Sequence, residues 1–212
     1  MSAFPHARFL TSAHEPHQFV PDVGAEVAIA GRSNSGKSSA INAITQRHAL
    51  ARTSRTPGQT QLVNFFELEA GRRLVDLPGY GFAKVPRPIQ RHWEQLLDDY
   101  FTRRASLRAL FVVMDVRHPL TEHDWRMMEY ARGHGRGLHL LLTKADKLGR
   151  GAGLAALAKV RRAVGELAGV QLFSAPEKTG VDEARRALRQ WLDAPPADKN
   201  KPGGAGGVAG RD

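Results

Sequence analysis

The sequence predicts a three-layer α/β architecture: an open, six-stranded mixed sheet with helices on both faces. Three observations carry that prediction. Short apolar runs alternate along the chain with stretches of helical periodicity. A glycine-rich turn joins the first apolar run to the first helical stretch. Two neighbouring runs are joined by a turn too short for a crossover, so one antiparallel pair is expected in an otherwise parallel sheet.

Taken in order, residues 1–24 hold Pro5, Pro16 and Pro21 with scattered His6, His14 and His17, and read as an extended lead-in that packs on the domain without a fold of its own. The histidine spacing fits no metal site on a regular element. Residues 26–30 (EVAIA) read as a buried strand. Residues 39–46 read as a helix with Ile41 and Ile44 on one face. Residues 51–60 are polar and aperiodic, hence a loop. Residues 62–68 and 73–76 form the expected hairpin, and 77–88 a second irregular loop. In residues 89–104, Ile89, Trp93, Leu96, Leu97 and Tyr100 recur at helical spacing. The run 107–115 is nearly continuous in apolar residues, as in a strand buried on both faces. Residues 121–132 form a helix with Thr121 as N-cap. A strand at 138–143, a helix at 153–167, a strand at 170–173 and a helix at 181–192 complete the domain. Trp93, Trp125 and Trp191 are expected in the core. From Pro195 the composition turns to Pro, Gly, Ala and Lys, which predicts a disordered tail. The domain therefore spans 25–194, between the lead-in (1–24) and the tail (195–212).

The chain of 212 residues, 42% apolar and 25% charged, is long enough to bury a core. It has no Cys, which excludes disulfides and thiolate metal sites. No apolar run is long enough to span a membrane, and a cytoplasmic location is expected. Lys and Arg number 31 against 21 acidic residues, a net charge of +10 that favours polyanionic partners such as RNA.

The chemistry begins at Gly31-Arg32-Ser33-Asn34-Ser35-Gly36-Lys37-Ser38, which fits G-x-x-x-x-G-K-[ST] in the strand–turn–helix context that the pattern needs. Glycines let backbone N–H groups close on a polyphosphate, and the helix N-terminus adds partial positive charge. Lys37 is suited to the β- and γ-phosphates, and the Ser38 hydroxyl to magnesium. Asp76-Leu77-Pro78-Gly79 matches D-x-x-G at a strand end: the Asp holds magnesium through its water shell and the Gly N–H meets the γ-phosphate. Thr143-Lys144-Ala145-Asp146 resembles [NT]-K-x-D. Guanine offers two adjacent donors, N1–H and N2–H₂, which one carboxylate accepts together; adenine lacks that pair. The stem of Lys144 can lie over the base. The amides of Phe173-Ser174-Ala175 are placed to meet guanine O6. Within the loop 51–60, both Thr56 and Thr60 have the chemistry to bind magnesium over the γ-phosphate, and chemistry alone does not choose between them.

In this order, these elements resemble those of a translation-factor-type GTPase domain on the P-loop NTPase (Ras-like) fold. The segments GRSNSGKS, RTSRTPGQTQLVNFF, DLPGYGFAKVP and TKADKL make the chain similar to the EngB (YihA/YsxC) family of bacterial ribosome-biogenesis GTPases over about residues 19–192. In that family the loop threonine on magnesium matches Thr60, within the nucleotide-contacting stretch Gly58, Gln59, Thr60, Gln61 and Leu62. Gln59 departs from the Arg usual there, which removes one positive charge near the phosphates. The resemblance implies a part in assembling the large (50S) ribosomal subunit and an association with septum formation in cell division.

Lys37, Thr60 and Gly79 are the expected catalytic groups; Ser38, Thr60 and Asp76 the expected magnesium set. Tyr80 stands where Ras-like proteins carry a water-positioning Gln, so intrinsic hydrolysis is expected to be slow, no faster than about 10⁻³ s⁻¹. Asn34 sits where related GTPases help hold potassium. GTP would order the loops 51–60 and 77–88, whose Arg52, Arg55, Lys84 and Arg87 form the expected ribosome-facing surface. Two other classes stand beside this reading. One is a nucleotide-responsive RNA-binding scaffold whose hydrolysis is incidental. The other is an ATP-using phosphotransferase, against which Asp146 argues.

Overall fold

The computed structural model describes residues 3–51, 62–80 and 87–195. Seven strands form one sheet: β1 (Arg8–Ala13), β2 (Ala25–Gly31), β3 (Val63–Glu69), β4 (Arg72–Asp76), β5 (Leu107–Asp115), β6 (Gly137–Thr143) and β7 (Gly169–Leu172). Their order across the sheet is β1-β3-β4-β2-β5-β6-β7. The β1–β3 and β3–β4 pairs are antiparallel and every other pair is parallel. Among the described residues five α-helices accompany them: α1 (Lys37–Thr45), α2 (Arg87–Arg103), α3 (Glu122–Gly133), α4 (Arg150–Val164) and α5 (Val181–Asp193).

Alternation along the strands sorts the core into two halves. Ala28, Ala30, Leu110, Val112, Leu140 and Leu142 face Leu96, Tyr100 and Phe101 of α2, Met127 and Met128 of α3, and Val160 and Val164 of α4. Val27, Ile29, Phe111, Val113 and Leu141 face Ile41 and Ile44 of α1 and Ala184, Leu188 and Leu192 of α5. The sheet is thus covered on both faces, as the near-unbroken apolar character of 107–115 requires.

The prediction of six strands is corrected to seven. The additional one, β1, lies within the lead-in and takes an edge of the sheet beside β3, pairing Arg8 with Glu67 and Ser12 with Asn64. Only Ala13 of its six residues is buried, so no apolar run betrays it. The ion pair Arg8–Glu67 (2.6 Å) and the hydrogen bond from Ser12 Oγ to Asn64 Oδ1 (2.6 Å) fix its place. Helix α4 starts earlier than expected and stops at Val164, where Gly165 adopts φ +55° and the chain passes into a short 3-10 turn. Ile89, expected to face inward, is exposed. The three tryptophans are half-buried and pack against the core from its rim. Thr121 caps α3 as expected, its hydroxyl accepting from Asp124 N while Asp124 accepts from Thr121 N (2.8 Å). His6, His14 and His17 are all exposed, and His14 stacks on His92 of α2. The tail from 196 onward lies outside the described residues.

Candidate functional site

The phosphate loop is set by backbone constraints. A Cβ at Gly31 would lie 2.6 Å from Ser35 Oγ and 2.7 Å from Val113 O, so any larger residue would force the loop open. Asn34 and Gly36 both hold positive φ (61° and 92°), which turns the chain sharply into α1 at Lys37. Ser35 is buried inside the loop, while Arg32, Ser33 and Asn34 are exposed on its rim. Lys37 Nζ forms an ion pair with Asp76 Oδ1, both side chains largely shielded from solvent. Asn64 Nδ2 approaches the other oxygen of Asp76 at 3.5 Å. Residues 31–38 and 76 are therefore brought together, with a cation, a carboxylate and a helix N-terminus in one place.

The segment after Asp76 is bolted to this loop. Leu77 N–H donates to Ile29 O (2.9 Å), Tyr80 N–H to Gly31 O (3.2 Å) and Ser33 N–H to Tyr80 O (3.4 Å), making a short parallel bridge between Arg32 and Tyr80. Gly79 is held half-buried between these anchors. The side chain of Leu77 is fully buried, so it serves the core. The Tyr80 phenol is buried too and donates to Asp124 Oδ1 of α3 (2.7 Å). Burial, and then the nearby Asp124 charge, push its hydroxyl pKa far above the ordinary phenol range, so it stays a neutral donor.

On the other side of the loop, β6 ends in Thr143. Its hydroxyl lies against two carbonyl oxygens, Ser35 O of the phosphate loop and Met114 O of β5 (2.9 Å to the latter). Lys144 takes a left-handed backbone conformation (φ 58°). Its Nζ donates to Asn34 O (2.6 Å) and pairs with Asp115 (3.0 Å). Asp146 Oδ1 accepts from Ser174 Oγ (2.7 Å), and its other oxygen faces Lys147 at 3.2 Å. The Ser174 hydrogen bond holds the Asp146 carboxyl below the usual carboxylate range. Ala145 N–H donates to Phe173 O (3.1 Å), which joins the two base-side segments.

Among the three amides expected to meet a base, two are engaged elsewhere: Phe173 N–H donates to Leu142 O (2.8 Å) and Ser174 N–H to Thr179 O (2.9 Å). The sequence expectation is narrowed accordingly to the Ala175 N–H. Sequence reasoning missed Asp115 and Arg117. Asp115, at the end of β5, receives the Arg117 guanidinium at two nitrogens (Nε 2.9 Å, Nη2 2.7 Å) as well as Lys144. The Arg117 hydrogen bond is foremost in holding the Asp115 carboxyl far below its usual range. The available signal was its position: an Asp closing an apolar strand at the same sheet rim as Asp76 and Thr143. Thr56, Gly58, Gln59, Thr60 and Gln61 lie outside the described residues, as do Arg52, Arg55 and Lys84. Leu62 is half-buried just before β3.

A magnesium ion suits this donor set. Among the described residues no group of three or more His, Cys, Asp or Glu could hold a metal. The Ser38 hydroxyl is a hard oxygen donor and the Asp76 carboxylate an acceptor for the ion's water shell, which suits magnesium when phosphate and water fill its remaining positions.

Comparison with known proteins bears on the family and the fold. A family described as 50S ribosome-binding GTPase matches residues 26–144. A probable GTP-binding protein EngB of Coxiella burnetii (strain CbuK_Q154) is 51% identical over 197 residues, covering 92% of this chain and 96% of the relative. Its namesake in Stenotrophomonas maltophilia is 53% identical over 190 residues, covering 88% and 95%. Among solved structures, a crystal structure of a probable GTP-binding protein engB superposes with TM-score 0.65 at 18% identity over 79% of this chain and 98% of that one. Era in complex with MgGDPNP and a 16S ribosomal RNA fragment superposes with TM-score 0.64 at 17% identity, over 82% and 58%. These structural likenesses speak to the fold.

Proposed function

We propose that this chain, which belongs to the EngB family of GTP-binding proteins and is thereby a P-loop GTPase, works as a slow GTP-driven switch in assembly of the large ribosomal subunit, with an associated need in normal septation. The observation that carries the nucleotide reading is the bond from Lys144 Nζ to Asn34 O, which ties the base-reading segment directly to the phosphate loop. One rim of the sheet thereby presents a phosphate grip and a carboxylate reader at once.

The residues divide the work. Loop N–H groups and the N-terminus of α1 receive the polyphosphate. Lys37, now on Asp76, exchanges that partner for phosphate oxygens and leaves Asp76 free to face a hydrated cation. Magnesium on Ser38, Thr60 and, through water, Asp76 would neutralise charge developing on the phosphates. Gly79 offers its N–H toward the γ-phosphate. Asp146 accepts the two adjacent guanine donors, with Ser174 orienting the carboxylate. Tyr80 faces Asp124, so its own side chain is not placed to orient attacking water, which supports a rate no faster than about 10⁻³ s⁻¹ without a partner. The exposed Asn34 is the residue suited to a potassium ion between the phosphates, and a faster rate in potassium than in sodium tests that assignment.

The ribosomal role rests on the family's description and on the net charge of +10. Sedimentation with large-subunit precursors tests it: the GTP-analogue form is expected in the ribosomal fraction, the GDP form largely in the supernatant. Equal partitioning of both forms would overturn the switch. Rescue of assembly by a Lys37→Ala protein that cannot hold GTP would favour the scaffold reading.

A further inference from the structure

Helix α4 differs from the other surface helices in its charge. Its fifteen residues include Arg150, Lys159, Arg161 and Arg162 and no acidic residue. Helices α2, α3 and α5 each interleave both signs, with Glu94, Asp98 and Asp99 on the first alone. All four α4 cations are exposed, and among the described residues none has a carboxylate within ion-pair distance. Arg161 donates to the carbonyl of Val170, which fixes its guanidinium and leaves its charge unneutralised.

Helix stability alone does not account for this pattern. Arg161 and Arg162 complement the negative end of the helix dipole, but Arg150 sits in the first turn, at the positive end. That turn has no acidic residue, and its N-cap, Gly149, offers no side-chain acceptor. Every local choice at the start of α4 adds to the positive potential. Between the long cations, the outward positions Ala155 and Ala158 are exposed and small, so a broad surface can approach the helix closely. The buried stripe of Gly153, Val160 and Val164 is already spent on the sheet.

We propose that the outer face of α4 is a docking surface for the sugar-phosphate backbone of double-helical RNA, independent of the nucleotide state. The occupant is argued from charge complementarity: spaced cations without acidic neighbours match a regular array of phosphates. An anionic membrane is disfavoured because Leu154 is the sole large apolar side chain exposed on the helix, too little to insert into a bilayer interface. The proposal rests on the ribosomal reading above and adds a second, constant anchor to the loops that change with GTP. Because α4 follows the base-reading segment directly, such an anchor would hold RNA beside the base end of the nucleotide site.

The test measures binding of the full chain, loaded with GDP or a GTP analogue, to an RNA duplex about twenty base pairs long, enough to span two successive minor grooves, across a salt series. Lys159→Gln with Arg162→Gln is compared with a charge-matched control on α3 and α5, Arg126→Gln with Arg186→Gln. The α4 variant is expected to bind about tenfold more weakly, with the salt slope reduced by about 2, one for each phosphate left without its cation. GDP affinity should be unchanged in both variants, which verifies folding, and the control should bind RNA within about twofold of the parent. Unchanged RNA affinity in the α4 variant, an equal loss in the control, or binding to phosphatidylserine vesicles without binding to the duplex would each overturn the proposal. Failure here leaves the GTP-dependent sedimentation untouched, and failure of that experiment leaves this one readable.

Discussion

At position 143 the side chain looks inward to the phosphate loop. The hydroxyl of Thr143, a residue 3% exposed, sits against carbonyls of the phosphate loop and of β5, so it braces the two halves of the site, and the proposed base contacts fall to Lys144 and Asp146. The [NT]-K-x-D pattern was legible; this bracing was not, because it depends on a carbonyl 108 residues away in sequence. His139 shows the same limit. It reads as one residue in an apolar strand, yet it is buried against Phe111 (4.7 Å between ring centroids) and bonded to Gln171 Oε1 (2.8 Å). Burial lowers its pKa below the ordinary value of 6.5. The unfolded chain therefore takes up a proton near pH 6.5 that the folded protein refuses. Its share of the stability is complete above that pH and is lost as the pH falls toward the folded pKa. Urea unfolding between pH 8 and pH 5 is expected to show a steeper loss below about 6.5 in the parent than in His139→Gln, by at most about 1.4 kcal/mol per pH unit. Parallel curves would refute the assignment.

At the scale of elements, the segment after β4 is held from two sides. Its backbone bridges to the phosphate loop at Arg32, and its Tyr80 hydroxyl reaches Asp124 in the capping box of α3. Motif and spacing placed this segment correctly beside the phosphate loop. They also put a tyrosine where Ras-like proteins carry a water-positioning glutamine, but did not show where the phenol goes, which depends on a helix 44 residues further on. Tyr80→Phe removes one donor from a carboxylate that keeps the Thr121 N–H (2.8 Å) and hydroxyl (2.8 Å). The expected cost is about 1–3 kcal/mol of stability, read from chemical denaturation. The hydrolysis rate per folded molecule should stay within about twofold. A tenfold fall in that rate would make the phenol a participant in the chemistry.

Across the whole molecule, the two ends of the sheet have different tasks. The ends of β2, β4, β5 and β6 carry the site. The opposite end carries a buried charge network around Glu26, fully shielded from solvent. Glu26 accepts from Arg73 Nε (2.7 Å), Arg104 Nε (3.1 Å) and Tyr100 Oη (3.0 Å). The same arginines reach back to the lead-in: Arg104 donates to Val20 O (2.6 Å) and Arg73 to Pro21 O (3.2 Å). The lead-in is thereby stapled to the domain; its packing there was expected, but these partners were not legible, since each is distant in sequence. Strands with unbroken apolar runs were legible because burial on both faces leaves that mark; β1 was not, because only Ala13 of it is buried and its side-chain partners, Glu67 and Asn64, are distant in sequence. Glu26→Gln leaves two buried guanidinium groups short of charge, and a loss of about 3–5 kcal/mol is expected by denaturation. GDP affinity of the folded fraction should be unaltered; a selective loss of GDP binding would show that the two ends are coupled.

The central claim is that Asp146 reads guanine through its two neighbouring donors. Xanthine replaces the 2-amino donor with a carbonyl acceptor, which a side-chain amide can satisfy and a carboxylate cannot. Calorimetric titration of the parent and of Asp146→Asn with GDP, ADP and xanthosine diphosphate tests this most directly. The parent is expected to bind GDP alone, and the variant to show a large loss of GDP affinity together with a gain for xanthosine diphosphate. A variant that keeps the parent's preference for GDP would contradict it.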